Sequence, residues 1–122
     1  IFTGSQSKIE QIYALSDVVI SSSKKPESFG RAVAEAICMN KPVIATNHGG
    51  VKDIIIENVN GFFFEVGDDK KLAANILKAR KLSFDGYNYI SSNFSLENMV
   101  NKTIAVYKNC LNLPHMLEYI LR

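Results

Sequence analysis

Apolar and polar positions along this chain follow two periods that alternate. Three short runs are continuously apolar: Val18 to Ile20 within the segment Asp17–Ser21, Val43 to Ala45 behind Pro42, and Phe62 to Phe64 behind Gly61. Runs of this kind, bounded by turn residues, are strands buried on both faces of a parallel sheet. Elsewhere the apolar residues recur three and four apart, which predicts amphipathic helices. One helix is expected over Lys8–Leu15, with Ile9, Ile12 and Tyr13 near helical spacing. A second is expected over 28–39, with Phe29, Val33, Ala36 and Ile37 on the core face. A third runs from about Lys70 to Lys81 and a fourth from Ser95 to about Asn112. Ile1 to Thr3 reads as the end of a further strand closed by Gly4, and 54–56 as a short helical turn or strand. Residues 83–92 are less regular, with Tyr87, Tyr89 and Ile90 on a short helix.

The punctuation agrees with this reading. Ser5 and Ser7 are candidate caps for the first helix. Asn40 suits the left-handed position after the second. Pro42 is tolerated at the first position of a strand, and Asn58 to Gly61 forms a turn. Asp68 and Asp69 open the third helix and lysines close it, the order that the helix dipole favours. Strands alternating with helices specify an α/β fold, a Rossmann-like parallel sheet with flanking helices. The 122 residues suffice for one compact domain, expected over 1–112, with 113–122 as a tail or one more helical turn after Pro114. A chain that starts inside a strand is expected to be N-terminally truncated.

Composition narrows the function. With 21% charged residues and a net charge of +2, no clustered basic surface marks a nucleic-acid partner. Cys38 and Cys110 lie far apart without metal-like neighbours, and His48 and His115 stand alone, so no metal is expected. Two free thiols in a reducing cytoplasm are the expectation, with a disulfide left open. No leader or lipidation motif is visible at the N-terminus, and no apolar run reaches the ~18 residues of a membrane span. The abundance of Ile, Asn and Lys points to a bacterial gene.

The chemistry gathers at Glu27 to Glu35. This stretch follows a strand and a polar loop and opens a helix, the place where open α/β folds meet phosphorylated ligands, because unbonded N–H groups and the helix dipole attract anions. Gly30 has two readings: close approach of a ligand to the backbone, or a tight helix–strand contact. If the whole segment is helical, Glu27 and Glu35 stand about 12 Å apart at ~1.5 Å per residue. Paired glycosidase carboxylates stand within roughly 5–9.5 Å, so these two are poorly placed to share one scissile bond. They are well placed to hold two ends of an elongated ligand, with a diphosphate between them. A nucleotide-sugar fits that outline. Beside this stands the plainer reading of Arg31 and Glu35 as a surface ion pair at i,i+4. Gly49 and Gly50 either approach a ligand or form a tight turn.

Glu27-Ser28-Phe29-Gly30 followed by Glu35-Ala36 resembles the donor-binding motif of retaining glycosyltransferases of the GT-B fold, family 4. The flanks Phe2-Thr3-Gly4, Tyr13 with Asp17-Val18, 41–45, Gly49-Gly50 with 53–55, and Asn60-Gly61-Phe62 stand in that family's order. The similarity covers roughly residues 1–80, with Asn40 where the family has glycine. It implies the C-terminal, donor-binding part of a two-domain enzyme. Glu27, the catalytic candidate, would contact donor-sugar hydroxyls. Ser28 and the N–H groups of Phe29, Gly30 and Arg31 would meet the sugar or diphosphate. Glu35 would take the ribose, and the Gly4-Ser5-Gln6 loop would lie near the base, bringing Gln6 to the nucleotide. No cofactor is implied beyond the NDP-sugar donor. The acceptor, a glycan or lipid-linked molecule, would bind a missing N-terminal domain, and the family's basic Arg/Lys pair belongs upstream too. The isolated chain is therefore expected to be inactive. The family implies a role in bacterial surface polysaccharide or lipopolysaccharide synthesis, in the cytoplasm or at the inner face of the membrane with peripheral association of the full enzyme. Two other classes remain: a non-catalytic nucleotide-sugar binding or partner protein, and another GT-B enzyme such as a sugar epimerase.

Overall fold

The computed structural model describes residues 1–111. Strands β1 (Val19–Ser21), β2 (Val43–Thr46) and β3 (Gly61–Phe64) form one parallel sheet in the order β1-β2-β3. Val19 pairs with Val43, and Val43 with Gly61, so the three strands advance in step. Parallel neighbours need crossovers. Helix α2 (Arg31–Cys38) links β1 to β2, and the short α3 (Val51–Ile54) lies between β2 and β3. Helix α1 (Ile9–Leu15) precedes the sheet and α4 (Asp69–Ala79) follows it, before α5 (Gly86–Phe94) and α6 (Leu96–Leu111). The three strands expected from the continuously apolar runs and the parallel α/β class are present.

The first of two compact units spans Ile1–Ile90 and contains the sheet. Helix α2 packs on β1 and β2, and α4 on β2 and β3. All four residues of β2 are buried, and Val33, Ile37, Ile44 and Ile54 are almost fully so. Each such side chain contributes roughly 1.5–3 kcal/mol by leaving water. Leu72, Ile76 and Ala79 of α4 close over Ile44, Phe62 and Phe64. The Asn75 amide donates to the Phe63 carbonyl at 3.0 Å. The aromatic strand is core, as its pattern suggests.

Some helix ends follow the sequence; α1 does not, since its N-cap is Lys8 without a side-chain bond, and neither Ser5 nor Ser7 caps it. Asn40 takes the left-handed conformation (φ 58°). Its N–H donates to the Ile37 carbonyl and that of Lys41 to Ala36, the paired bonds of a Schellman end. The Asp68 carboxylate accepts from the Lys71 N–H at 2.9 Å and caps α4. In the second unit, which begins at Ser91, the Ser95 hydroxyl accepts from the Asn98 N–H and caps α6. The expected boundary at 112 and the tail of 113–122 lie outside the described residues.

Three further expectations are corrected. Residues 1–3 form no strand among the described residues: Ile1 and Phe2 are fully exposed, and a strand exists only by pairing. The element expected at 54–56 lies earlier, at Val51–Ile54, and Ile55 is already extended. The third correction places the start of α2 at Arg31 rather than near residue 28. Gly30 caps that helix with φ 90°, a left-handed conformation that ends any continuous helix through Glu27. Phe29 is accordingly off the core face, 43% exposed. The helical rise therefore does not set the separation of Glu27 and Glu35. The short helix expected to carry Tyr87, Tyr89 and Ile90 is present as α5 and extends to Phe94.

Candidate functional site

The C-terminal ends of the three parallel strands, at Ser21, Thr46 and Phe64, bring their loops to one edge of the sheet, where open α/β folds place ligands. The loop after β1 carries Glu27 and the loop after β2 supports it. Gly50 N–H donates to the Glu27 carbonyl at 2.8 Å. A Cβ on Gly49 would stand 2.6 Å from the Glu27 oxygen, and one on Gly50 would meet the Ser28 carbonyl and stand 2.7 Å from Phe29 Cα. The paired glycines form the tight turn read from the sequence, Gly49 with φ 70°. They let the backbone of one loop lie against the other and fix where Glu27 stands. The Glu27 side chain is exposed and borders a crevice too tight to admit water, with Ser21, Ser23, Thr46 and His48 around it.

Gly30 turns the chain from that loop into α2. A Cβ there would come within 2.7 Å of Val51 Cγ1, so this glycine does make a tight contact, but with the short helix α3 and not with a strand as expected. Ser28 and Phe29 lie in the loop, and Arg31 is the first helical residue. The Gly30 carbonyl accepts from both Val33 and Ala34, whereas the N–H groups of Gly30 and Arg31 have no acceptor among the described residues. Donors in that state favour an anion, and the dipole of α2 adds to the effect.

Glu35 lies one turn along α2, on the side away from the core. Its two oxygens are held differently. Arg31 Nε reaches Oε1 at 3.3 Å, and the Tyr13 hydroxyl of α1 donates to Oε2 at 3.1 Å. The Arg31 side chain is 89% exposed, so the ion pair is present but weakly stabilising. Tyr13 is buried, and its phenol is pushed above the usual value by that burial first, then by its bond to Glu35 and the carboxylate's charge. An ionised carboxylate offers about four acceptor positions. One on each oxygen is occupied, which leaves one on each oxygen to accept a pair of adjacent hydroxyls.

Glu35, Tyr13 and Arg31 rim a groove of about 340 Å³ between α1 and α2, walled by Ile9, Ala34 and Cys38. The structure therefore sets Glu27, exposed beside a closed crevice, before the start of α2 and Glu35, at the rim of an open groove, after it. Gln6 is not brought to either: it lies in the exposed segment before α1, its amide donating to the Thr3 carbonyl. Tyr13 and His48 are the functional neighbours whose contacts spacing did not reveal. A buried tyrosine at the rim of the candidate helix pair was the available signal for the first. The histidine next to the double glycine was the signal for the second. Both cysteines are free thiols. Among the described residues no cluster of His, Cys, Asp or Glu could hold a metal, and no helix is long and apolar enough to cross a membrane.

Comparison with known proteins bears on the family and the fold. Residues 1–94 match the family model of the glycosyl transferases group 1. The chain is 33% identical over 81 residues to N-acetyl-alpha-D-glucosaminyl L-malate synthase of Bacillus anthracis, covering 66% of this chain and 21% of that protein. It is 36% identical over 75 residues to the putative glycosyltransferase EpsD of Bacillus subtilis, covering 62% of this chain and 19% of that one. Among solved structures, a glycosyltransferase from Rickettsia africae superposes with a TM-score of 0.74 at 36% identity, covering 88% of this chain and 31% of that one. Anabaena HepE, solved in complex with UDP-glucose, superposes with a TM-score of 0.69 at 29% identity, covering 87% of this chain and 31% of that one. The chain thus spans about a fifth of the length of these curated relatives and about a third of the solved neighbours. The neighbours are GT-B glycosyltransferases, and the sheet described here is one piece of that architecture. By its family match and by its fold, this chain belongs to the glycosyl transferases group 1 family.

Proposed function

We propose that this chain is the donor-binding, C-terminal part of a retaining family 4 glycosyltransferase of the GT-B fold. The observation that carries the reading is the arrangement around α2. An exposed carboxylate (Glu27) precedes the helix, two N–H groups without an acceptor among the described residues (Gly30 and Arg31) open it, and a positioned carboxylate (Glu35) follows one turn later. An NDP-sugar has the matching order of parts. Its sugar hydroxyls meet Glu27, the catalytic candidate, its diphosphate lies on the helix N-terminus near Ser28 and Phe29, and its ribose diol bridges the two open positions of Glu35. The nucleobase extends toward α1. That HepE binds UDP-glucose and UDP supports the nucleotide-sugar class.

The reaction is transfer of a hexosyl group to a glycan or lipid-linked acceptor, in bacterial surface polysaccharide or lipopolysaccharide synthesis. The enzyme works in the cytoplasm or peripherally at the inner face of the membrane. No cofactor takes part. Acceptor binding and the cations that neutralise the departing diphosphate fall to the remainder of such a protein, so the 122 residues alone do not catalyse transfer. The test is a chemical-shift titration with UDP, GDP, ADP and UDP-glucose, repeated on Glu35→Ala. Shifts centred on 27–35 that vanish in the variant are expected, and they name the base. Saturable shifts confined to another face would remove the donor-site reading, and sugar transfer by this chain alone would remove the claim of inactivity.

A further inference from the structure

We propose that His48 is a positioning residue of this site, a latch that fastens the Glu27-bearing loop to the end of β2; the proposal rests on the donor-site reading above. A peptide carbonyl only accepts, so the 2.9 Å contact between His48 Nε2 and the Ser23 oxygen places the ring proton on Nε2. The Thr46 hydroxyl donates to the same oxygen at 2.8 Å. Ser23 begins the loop that leads to Glu27, and four residues later Gly50 N–H holds the Glu27 carbonyl. The loop is therefore tied on both sides of Lys24–Pro26 by one short segment, Thr46 to Gly50. Between those ties the Ser23 hydroxyl donates to the Lys25 carbonyl and sets the turn.

With its proton on Nε2, the ring presents a bare lone pair at Nδ1. That atom is buried and has no partner among the described residues. An apolar side chain filling the same space would carry no such unsatisfied atom. A buried unsatisfied group calls for a functional reason. Here the reason is the other nitrogen, whose bond fixes the loop wall of the crevice that Glu27 and His48 share. Sugar binding through Glu27 then requires little loop ordering, and preorganisation of this kind appears as affinity.

Three variants of the isotope-labelled chain test this: His48→Ala, His48→Asn and His48→Gln. Glutamine carries an amide N–H to about the position of Nε2; asparagine is too short to reach Ser23. One readout needs no ligand: hydrogen exchange at Gly50 N–H, against the ladder amides of β2 as an internal control. The other is the gain in affinity of UDP-glucose over UDP. Alanine and asparagine should speed Gly50 exchange by about fivefold, the equivalent of one hydrogen bond, and reduce the sugar-dependent gain by a similar factor. Glutamine should restore both. Unchanged exchange and affinity in His48→Ala, or glutamine no better than alanine, would overturn the latch, as would nitrogen shifts that place the ring proton on Nδ1. A wild-type chain that binds neither nucleotide sinks the donor reading instead, and the exchange rates tell the two failures apart.

Discussion

Replacing Tyr13 by phenylalanine removes one oxygen atom and separates what Glu35 contributes to the fold from what it contributes to binding. The ring is 7% exposed and its phenyl replacement fills the same space, so packing is nearly conserved. The hydroxyl's bond to Glu35 Oε2, at 3.1 Å, is lost. Because the Glu35 side chain is 40% exposed, water takes the vacated position, and the stability loss stays at about 1 kcal/mol or below. The effect on binding is different in origin. Without the phenol the carboxylate is free to move, and a ribose diol must immobilise it at roughly 0.5–1.5 kcal/mol. That corresponds to a dissociation constant raised about 2- to 12-fold. Nucleotide titration followed by chemical shift or calorimetry gives the constant, and thermal unfolding gives the stability. Unchanged affinity would show that Tyr13 does not position Glu35. A loss of binding together with a large fall in Tm would show that the hydroxyl holds the fold and not the site.

Three further perturbations follow from the same contacts. Gly50→Ala puts a methyl group against Ser28 and Phe29, so stability should fall by about 1–3 kcal/mol and amide shifts should move at 26–29; a neutral substitution in denaturant unfolding would refute the close approach. Arg31→Ala breaks an ion pair whose cation is 89% exposed, and stability should change by less than about 0.5 kcal/mol; a loss above ~1 kcal/mol would show a structural bridge. Tyr13 and Tyr89 both have pKa values raised from 10.0, Tyr13 chiefly by burial and then by Glu35, Tyr89 by burial. Raised folded-state values mean that the folded chain keeps these protons longer. Their contribution is therefore full below about pH 10 and lost as pH rises through the folded values. Urea unfolding across that range should show an alkaline decline that Tyr13→Phe and Tyr89→Phe each flatten, and a decline unchanged in both would contradict the assignment.

Local chemistry made most of the fold legible. Gly61 to Phe64 announces β3 because three aromatics follow a turn glycine, and the structure keeps those bounds. Asp68 and Asn40 mark their helix ends through their own side-chain and backbone preferences, which need no distant partner. What stayed hidden depends on tertiary contact. Gly30 reads as a first-turn residue by spacing, but it must clear Val51, and its left-handed turn moves the start of α2 to Arg31. Ile1 to Thr3 has strand-like composition, yet pairing is a property of two segments and cannot be read from one. Of the site, the two glutamates stand out because the motif places them. Their supports do not: Tyr13 bonds a residue 22 positions away and His48 one 25 away, distances at which periodicity carries no information.

The central claim is that Glu35 accepts the ribose diol of a nucleoside diphosphate. It is tested most directly by the affinity of UDP against that of 2′,3′-dideoxy-UDP, or the matching pair for GDP or ADP if the titration selects another base, in the wild type and in Glu35→Ala. The expected result is a preference of about tenfold or more for the diol, from hydrogen bonds to a charged acceptor, that disappears in the variant. Equal affinities for both nucleotides in the wild-type chain, or a preference that survives the loss of Glu35, would contradict it.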